Sequence, residues 1–210
     1  MSRRIVVLTK APIPGQVKTR LGESIGHDAA AAIHEALVFE TLRLAMSTGL
    51  PVTVSMALDP GGSFTRRIQP LGVSVEAQAG GDLGDRLLHA MRHPGRTIAL
   101  GSDCVVFDPK WLVACARDPA DVSIGPAEDG GYWAIALDGS SRSLAASAFT
   151  DMPWSTPTLL QETCTRLRSA GFSVNTLPAS YDVDDVSGLQ RLAEDQRCAE
   201  PLRSAIQRLL

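Results

Sequence analysis

Aromatic residues make up only 5% of the chain, so Val, Leu, Ile and Ala must supply the core. Cysteines are few and scattered. Cys104, Cys115, Cys164 and Cys198 form no C-x-x-C pair, which argues against a zinc site or a dithiol redox motif. They suit a reducing compartment, where a buried thiol acts as a small hydrophobe, and a cytoplasmic location is expected. Long apolar runs are also missing. The start M-S-R-R-I-V-V-L-T is too short in apolar residues for a secretory signal, and no segment is long enough to span a bilayer, so no membrane partner is expected. A net charge of −3 gives no basic footprint, which argues against nucleic acid as a partner. No Ser-His-Asp arrangement supports acyl transfer. His27, His34, His89 and His93 share no ligand spacing and are expected at the surface.

What is present is ordinary globular composition over 210 residues, 44% apolar and 20% charged. It suits one domain spanning 1–210 with a sizeable core. Ile5 to Thr9 reads as a strand buried on both faces. Asp28 to Met46 reads as a helix with Ile33, Leu37 and Leu44 on one face. The runs V-T-V-S-M, G-V-S-V-E-A, T-I-A-L-G, V-S-I-G, Y-W-A-I-A-L and F-S-V-N-T-L read as further strands. A helix from Asp82 should turn Leu83, Leu87, Leu88 and Met91 inward. Asp108 and Pro109 open another, as N-cap and first helical residue. Thr156 to Ala170 and the chain from Ser187 onward read as helical. The polar stretch Asp138 to Thr150 is expected as a mobile loop or short helix. Strands separated by helices predict an α/β fold, a mostly parallel mixed sheet flanked by helices.

In such a sheet, ligands gather at the carboxyl ends of the strands. There the stretch K-A-P-I-P-G-Q-V-K-T-R-L follows the first strand. Gly15 lets backbone approach an anion, and Lys10, Lys18 and Arg20 would neutralise it. Lys18 and Arg20 project the same way if the segment is extended. The alternative is a solvated basic loop. The loop fits neither G-x-x-x-x-G-K-[ST] nor G-x-G-x-x-G, which excludes a P-loop and a dinucleotide fingerprint. Asp103 sits just past T-I-A-L-G, where a carboxylate can hold a divalent cation against phosphate oxygens. Asp182 and Asp184 share a side of an extended Y-D-V-D-D, although Asp184 or Asp185 could instead cap the following helix. Gln78 ends a strand with an amide able to read a nucleobase edge. Asp82 is an apt N-cap. Arg86 either reaches a phosphate or pairs with Asp82. Glu128 to Tyr132 carries the Asp-Gly signal of a hairpin.

The loop Lys10 to Leu21, with Ala11 in its second position, resembles the signature of a bacterial family in the nucleotide-diphospho-sugar transferase superfamily. That family has the GT-A-type fold, is labelled glycosyltransferase-like, and is associated with radical-SAM or selenium-domain proteins. The resemblance continues in order through Q-A-G-G-D-L-G-D-R (Gln78 to Arg86), G-S-D-C (Gly101 to Cys104), G-P-A-E-D-G-G-Y (Gly125 to Tyr132), P-W-S-T (Pro153 to Thr156) and L-P-A-S-Y-D-V-D-D (Leu177 to Asp185). The superfamily also holds phospholactate guanylyltransferases and molybdenum-cofactor nucleotidyltransferases, whose first loop is similar. The resemblance implies a nucleotide-binding loop (Lys10, Ala11, Gly15, Lys18, Arg20), base contact by Gln78 with Arg86 beside it, and Mg²⁺ or Mn²⁺ on Asp103 with a second ligand from the D-V-D pair. Asp184 is favoured there, with Asp182 supporting. It also implies that Asp129, Gly130 and Gly131 face an acceptor or sugar. Trp154 either walls that pocket or is a packing anchor.

The expected activity is metal-dependent nucleotidyl transfer, in which a phosphorylated acceptor attacks the α-phosphate of an NTP and pyrophosphate leaves. Lys18, Arg20 and Asp103 would carry the charge neutralisation. The alternatives are glycosyl transfer from a nucleotide-sugar and a non-catalytic nucleotide-binding module. In each case the partners are a nucleotide and, for the transferases, a small-molecule acceptor.

Overall fold

The computed structural model describes residues 2–209. The elements in chain order are β1 (Arg3–Lys10), α1 (Thr19–Ile25), α2 (His27–Met46), β2 (Val52–Ala57), α3 (Ser63–Ile68), a 3-10 turn (Gln69–Leu71), β3 (Ser74–Ala77), α4 (Leu83–Ala90) and β4 (Arg96–Gly101). Then follow α5 (Pro109–Arg117), β5 (Val122–Pro126), β6 (Tyr132–Asp138), α6 (Arg142–Phe149), α7 (Leu159–Ser169), β7 (Val174–Thr176), α8 (Val186–Glu194) and α9 (Glu200–Gln207).

The strands form one seven-stranded sheet in the order β3-β2-β1-β4-β6-β5-β7. The pairs β1–β2, β1–β4, β2–β3 and β5–β7 are parallel, and β6 runs antiparallel to both neighbours. Two reversals in succession leave β5 and β7 pointing the same way as β1 and β4. The ends of β1, β3 and β4, the β5–β6 turn and the chain after β7 therefore lie along one edge of the sheet.

Alternation along the strands feeds two cores. Ile98 and Leu100 of β4 face one, with Ile5, Val7, Leu37 and Leu112, while Ala99 faces the other, with Leu87, Ile135, Leu144 and Phe149. Helices α2, α5, α8 and α9 contribute to the first face, and α4, α6 and α7 to the second. All four cysteines are free thiols, three of them buried. No helix among the described residues is long and apolar enough to cross a membrane.

Of the two forms expected for Asp138 to Thr150, the short helix is present: α6, anchored by buried Leu144, Ala148 and Phe149. Other sequence expectations need correction. Helix α7 begins at Leu159 rather than Thr156, because Thr156 to Thr158 form a turn in which the Thr156 hydroxyl donates to the Pro153 carbonyl. Leu83 is 41% exposed instead of turned inward. It is the first residue of α4, ahead of the stripe that Leu87 and Met91 bury. Helices α1 and α3 were not anticipated at all.

Candidate nucleotide and metal site

The loop after β1 is not extended. Lys18 is the N-terminal boundary residue of α1 and has left-handed backbone angles, φ 45° and ψ 46°. Thr19 and Arg20 are already helical, so Lys18 and Arg20 are not the alternating pair that an extended segment would give. Gly15, at φ 76°, supplies the preceding turn. The Ala11 amide is committed to the Ala57 carbonyl, so this residue fixes β1 to β2 and is fully buried.

The turn at Lys18 drives its side chain inward, leaving 4% of it exposed. Its Nζ lies 2.5 Å from Asp103 Oδ1 and 2.9 Å from Asp184 Oδ1. Residues from the beginning, middle and far end of the chain thus meet at one ammonium group. Burial alone would lower the Lys18 pKa, but the two carboxylates outweigh it and raise it. Crowding by protein works to raise the Asp103 pKa, and Lys18 overrides it, holding the carboxyl below its usual range.

The D-V-D segment is registered by its middle residue. Val183 is buried, and its amide donates to the Asp103 carbonyl at 3.0 Å. Asp184 then reaches Lys18, while Asp182 lies further in, near Asp129. Burial, followed by the charges of Asp129, Asp103 and Asp184, pushes the Asp182 pKa up to about 7. The helix cap is taken by Asp185, which accepts from the Gly188 amide, so Asp184 is not a cap.

Four carboxyl groups therefore influence one another around a single buried ammonium. Among the described residues no three acidic, His or Cys side chains form a closed metal cage. Hard oxygen donors of this kind suit Mg²⁺ or Mn²⁺, and Mg²⁺ commonly takes one or two carboxylates and completes its shell with phosphate oxygens and water. Asp103 and Asp184 fit that requirement.

His34 was expected at the surface and is not: it is 5% exposed. Its Nε2 sits 3.0 Å from the Lys10 carbonyl, which fixes the proton on that nitrogen, and its Nδ1 lies 4.0 Å from Asp103 Oδ1. Nδ1 is buried and has no hydrogen-bond partner among the described residues. Burial, only partly opposed by Asp103, lowers the His34 pKa. The signal was in the sequence: His34 falls between Ile33 and Leu37 on the buried face of α2.

These groups open into a cleft of about 510 Å³, within the range of small-molecule sites. Lys10 and Arg20 line it, as do Gln78 and Arg86 from the opposite side of the sheet edge. None of the three cations Lys10, Arg20 and Arg86 has a carboxylate partner within 4.0 Å among the described residues. Arg86 makes no pair with Asp82, which instead caps α4 in a reciprocal box with Asp85. The Gln78 amide nitrogen donates to the Ser55 carbonyl. Leu83, exposed at the start of α4, adds an apolar wall to the cleft that Gln78 and Arg86 also line.

The E-D-G-G-Y stretch forms the expected turn between β5 and β6. Asp129 accepts from the Gly131 amide at 2.8 Å, and its charge is felt at Asp182. Gly130 has φ 91°, and a Cβ there would stand 2.1 Å from the Pro157 carbonyl oxygen, so close backbone packing explains this glycine without a ligand. The side chain of Glu128 forms a two-pronged pair with Arg191, whose guanidinium stacks 3.7 Å over Tyr181. Trp154 does not line the cleft. It packs edge-on against Tyr132 and touches the α4 backbone side at Gly84, as an anchor of the second core.

Residues 41–156 match the family model described as "Uncharacterized protein conserved in bacteria (DUF2064)". No curated protein matches the chain in sequence. Among solved structures, one described as a nucleotide-diphospho-sugar transferase from Desulfovibrio desulfuricans G20 is 28% identical, with a TM-score of 0.88 over 99% of this chain and 95% of that one. The inositol-1-phosphate CTP transferase from T. maritima shares the fold at 11% identity and a TM-score of 0.60, over 100% of this chain and 97% of that one. A nucleotidyl transferase from Methanothermobacter thermautotrophicus does so at 15% and 0.60, over 99% of each chain.

Proposed function

The chain belongs to the DUF2064 family, and we propose that it is a divalent-metal-dependent transferase that binds a nucleotide, with nucleotidyl transfer as its reaction. The observation that carries this reading is the meeting of Lys18, Asp103 and Asp184 at the floor of a cleft whose rim bears Lys10, Arg20 and Arg86. A cation-lined cleft over a carboxylate floor is matched to a polyphosphate with its metal.

Asp103 and Asp184 would hold Mg²⁺ or Mn²⁺, which when bound neutralises phosphate charge as a Lewis acid. The remaining work belongs to positioning and electrostatics. Lys10, Arg20 and Arg86 bind the phosphate chain. Gln78 and the Leu83 wall receive the base. Asp129, with Asp182 behind it, orients an acceptor hydroxyl or phosphate arriving from the β5–β6 side. No protein nucleophile is required, since the acceptor oxygen attacks the α-phosphate and pyrophosphate leaves.

The second reading is glycosyl transfer from a nucleotide-sugar. It is favoured by the description of the D. desulfuricans structure at 28% identity. A thermal-shift screen of the four NTPs and common nucleotide-sugars with Mg²⁺ separates these readings, because a ligand that binds only the native state raises its Tm. The expected hit is an NTP, followed by pyrophosphate release with a phosphorylated acceptor. Stabilisation by nucleotide-sugars alone, with release of a nucleoside diphosphate, selects the second reading. Tight nucleotide binding without turnover of either kind makes the chain a binding module.

A further inference from the structure

Lys18 does not behave like the other cations of the cleft. Lys10 and Arg20 are exposed, whereas the Lys18 side chain is 4% exposed and its ammonium is spent on Asp103 and Asp184. It bridges the same two carboxylates that the proposed function gives to the metal. A divalent cation bridging Asp103 and Asp184 through these Oδ1 atoms would compete with the ammonium for the same lone pairs, and at such separations the two cations repel each other.

We propose that Lys18 is a resident counter-ion for the metal site, and that it yields its place between Asp103 and Asp184 when a divalent cation binds there. This inference rests on the assignment of Asp103 and Asp184 as metal ligands. Without an internal cation, the carboxylates of Asp103 and Asp184, whose Oδ1 atoms lie 2.5 and 2.9 Å from the same nitrogen, would repel each other across the cleft floor. Lys18 relieves that repulsion while the cleft is empty. On metal binding the ammonium is released within the same cleft as Lys10 and Arg20, where it adds to the charge available for an anion.

The local backbone suits a side chain that changes partners. Lys18 occupies a left-handed conformation that is unfavourable for a residue with a Cβ, by about 1–2 kcal/mol. The ion pairs with Asp103 and Asp184 hold it there, and no side chain caps the helix that starts behind it. Metal and Lys18 are thus linked: whatever stabilises one arrangement weakens the other by the same free energy.

The sequence offers a direct probe. The only other lysines are Lys10 and Lys110, and both are exposed. Amine acetylation followed by peptide mass analysis should modify Lys10 and Lys110 readily in metal-free protein and spare Lys18. At saturating Mn²⁺ alone, the Lys18 rate should rise about tenfold or more, with Lys110, which does not line the cleft, unchanged as the internal reference. Mn²⁺ occupancy is read separately by electron paramagnetic resonance, and Lys18→Met should bind Mn²⁺ about tenfold more tightly than the native protein. Binding in Lys18→Met but not in the native chain would equally support the exchange.

If Mn²⁺ saturates the native protein and Lys18 stays protected, the exchange is wrong and the metal assignment stands. If Mn²⁺ binds neither protein, both are wrong. Circular dichroism of Lys18→Met distinguishes a folded variant from a collapsed one, and the acetylation experiment on the native chain decides the matter without it.

Discussion

Gly130 is held between a positive φ and the Pro157 carbonyl. Gly130→Ala must rebuild that contact against backbone and should cost about 2–4 kcal/mol, read as a lowered urea midpoint. The consequence is local to the turn that carries Asp129. Asp103→Asn addresses the chemistry instead. The amide is nearly the same shape but is a poor ligand for a hard cation and a poor partner for Lys18. Metal-dependent turnover should fall by about 100-fold or more while the circular dichroism spectrum is kept. An unchanged rate would remove Asp103 from the site. His34→Phe keeps the ring volume and deletes the Nε2–H that donates to the Lys10 carbonyl. Leaving that carbonyl unpaired should cost about 1–3 kcal/mol, read as a lowered urea midpoint.

Helix α4 starts at a reciprocal pair of side-chain caps. Asp82 accepts from the Asp85 amide, and Asp85 answers to the Asp82 amide. Asp82→Ala should therefore cost about 1 kcal/mol in urea unfolding and loosen the helix end that presents Leu83 and Arg86 to the cleft. Asp82 as a cap, Asp108 and Pro109 at the start of α5, and the β5–β6 turn were all legible in sequence, because each rests on contacts within a few residues. The strands were legible from apolar runs. Helix α1 was not, since its first turn is Lys18-Thr19-Arg20, and its boundary residue adopts a left-handed shape stabilised by carboxylates 85 and 166 positions away. Helix α6 was legible only as one of two alternatives, because the polar flank Ser140 to Arg142 obscured the helical spacing of Leu144 and Ala148. At the site, the pattern of the chain named the residues along the sheet edge but not their pairing. That Lys18 would be committed to Asp103 and that Asp184 would turn to Lys18 while Asp185 caps α8 depend on tertiary register, chiefly the Val183–Asp103 backbone bond.

For the molecule as a whole, the carboxyl-terminal helices are fastened through Asp195. Its carboxylate receives Arg197 and the Tyr181 hydroxyl, and its main-chain carbonyl receives Arg203 from α9. The hydrogen bond and charge of Arg197, assisted by Tyr181 and opposed by partial burial, depress the Asp195 pKa to about 2. The folded value lies below the unfolded one, so this contribution is fully present above the ordinary aspartate pKa and is lost as pH falls through about 4 to 2. Asp195→Asn should be less stable than the native chain at pH 6, and the two urea midpoints should draw together from about pH 4 and meet near pH 2. A constant gap across that range would show that the ion pair does not govern attachment. The Tyr181 link also runs straight into the D-V-D segment. Because Lys18 and Asp184 are 166 residues apart, a growing polypeptide leaving the ribosome carries its cationic loop long before its matching acid is made. Strands β1 to β4 can stack early, yet the ligand cleft waits for residue 184, so a chain halted before it lacks one of the two acids that meet Lys18, however much of its sheet has formed.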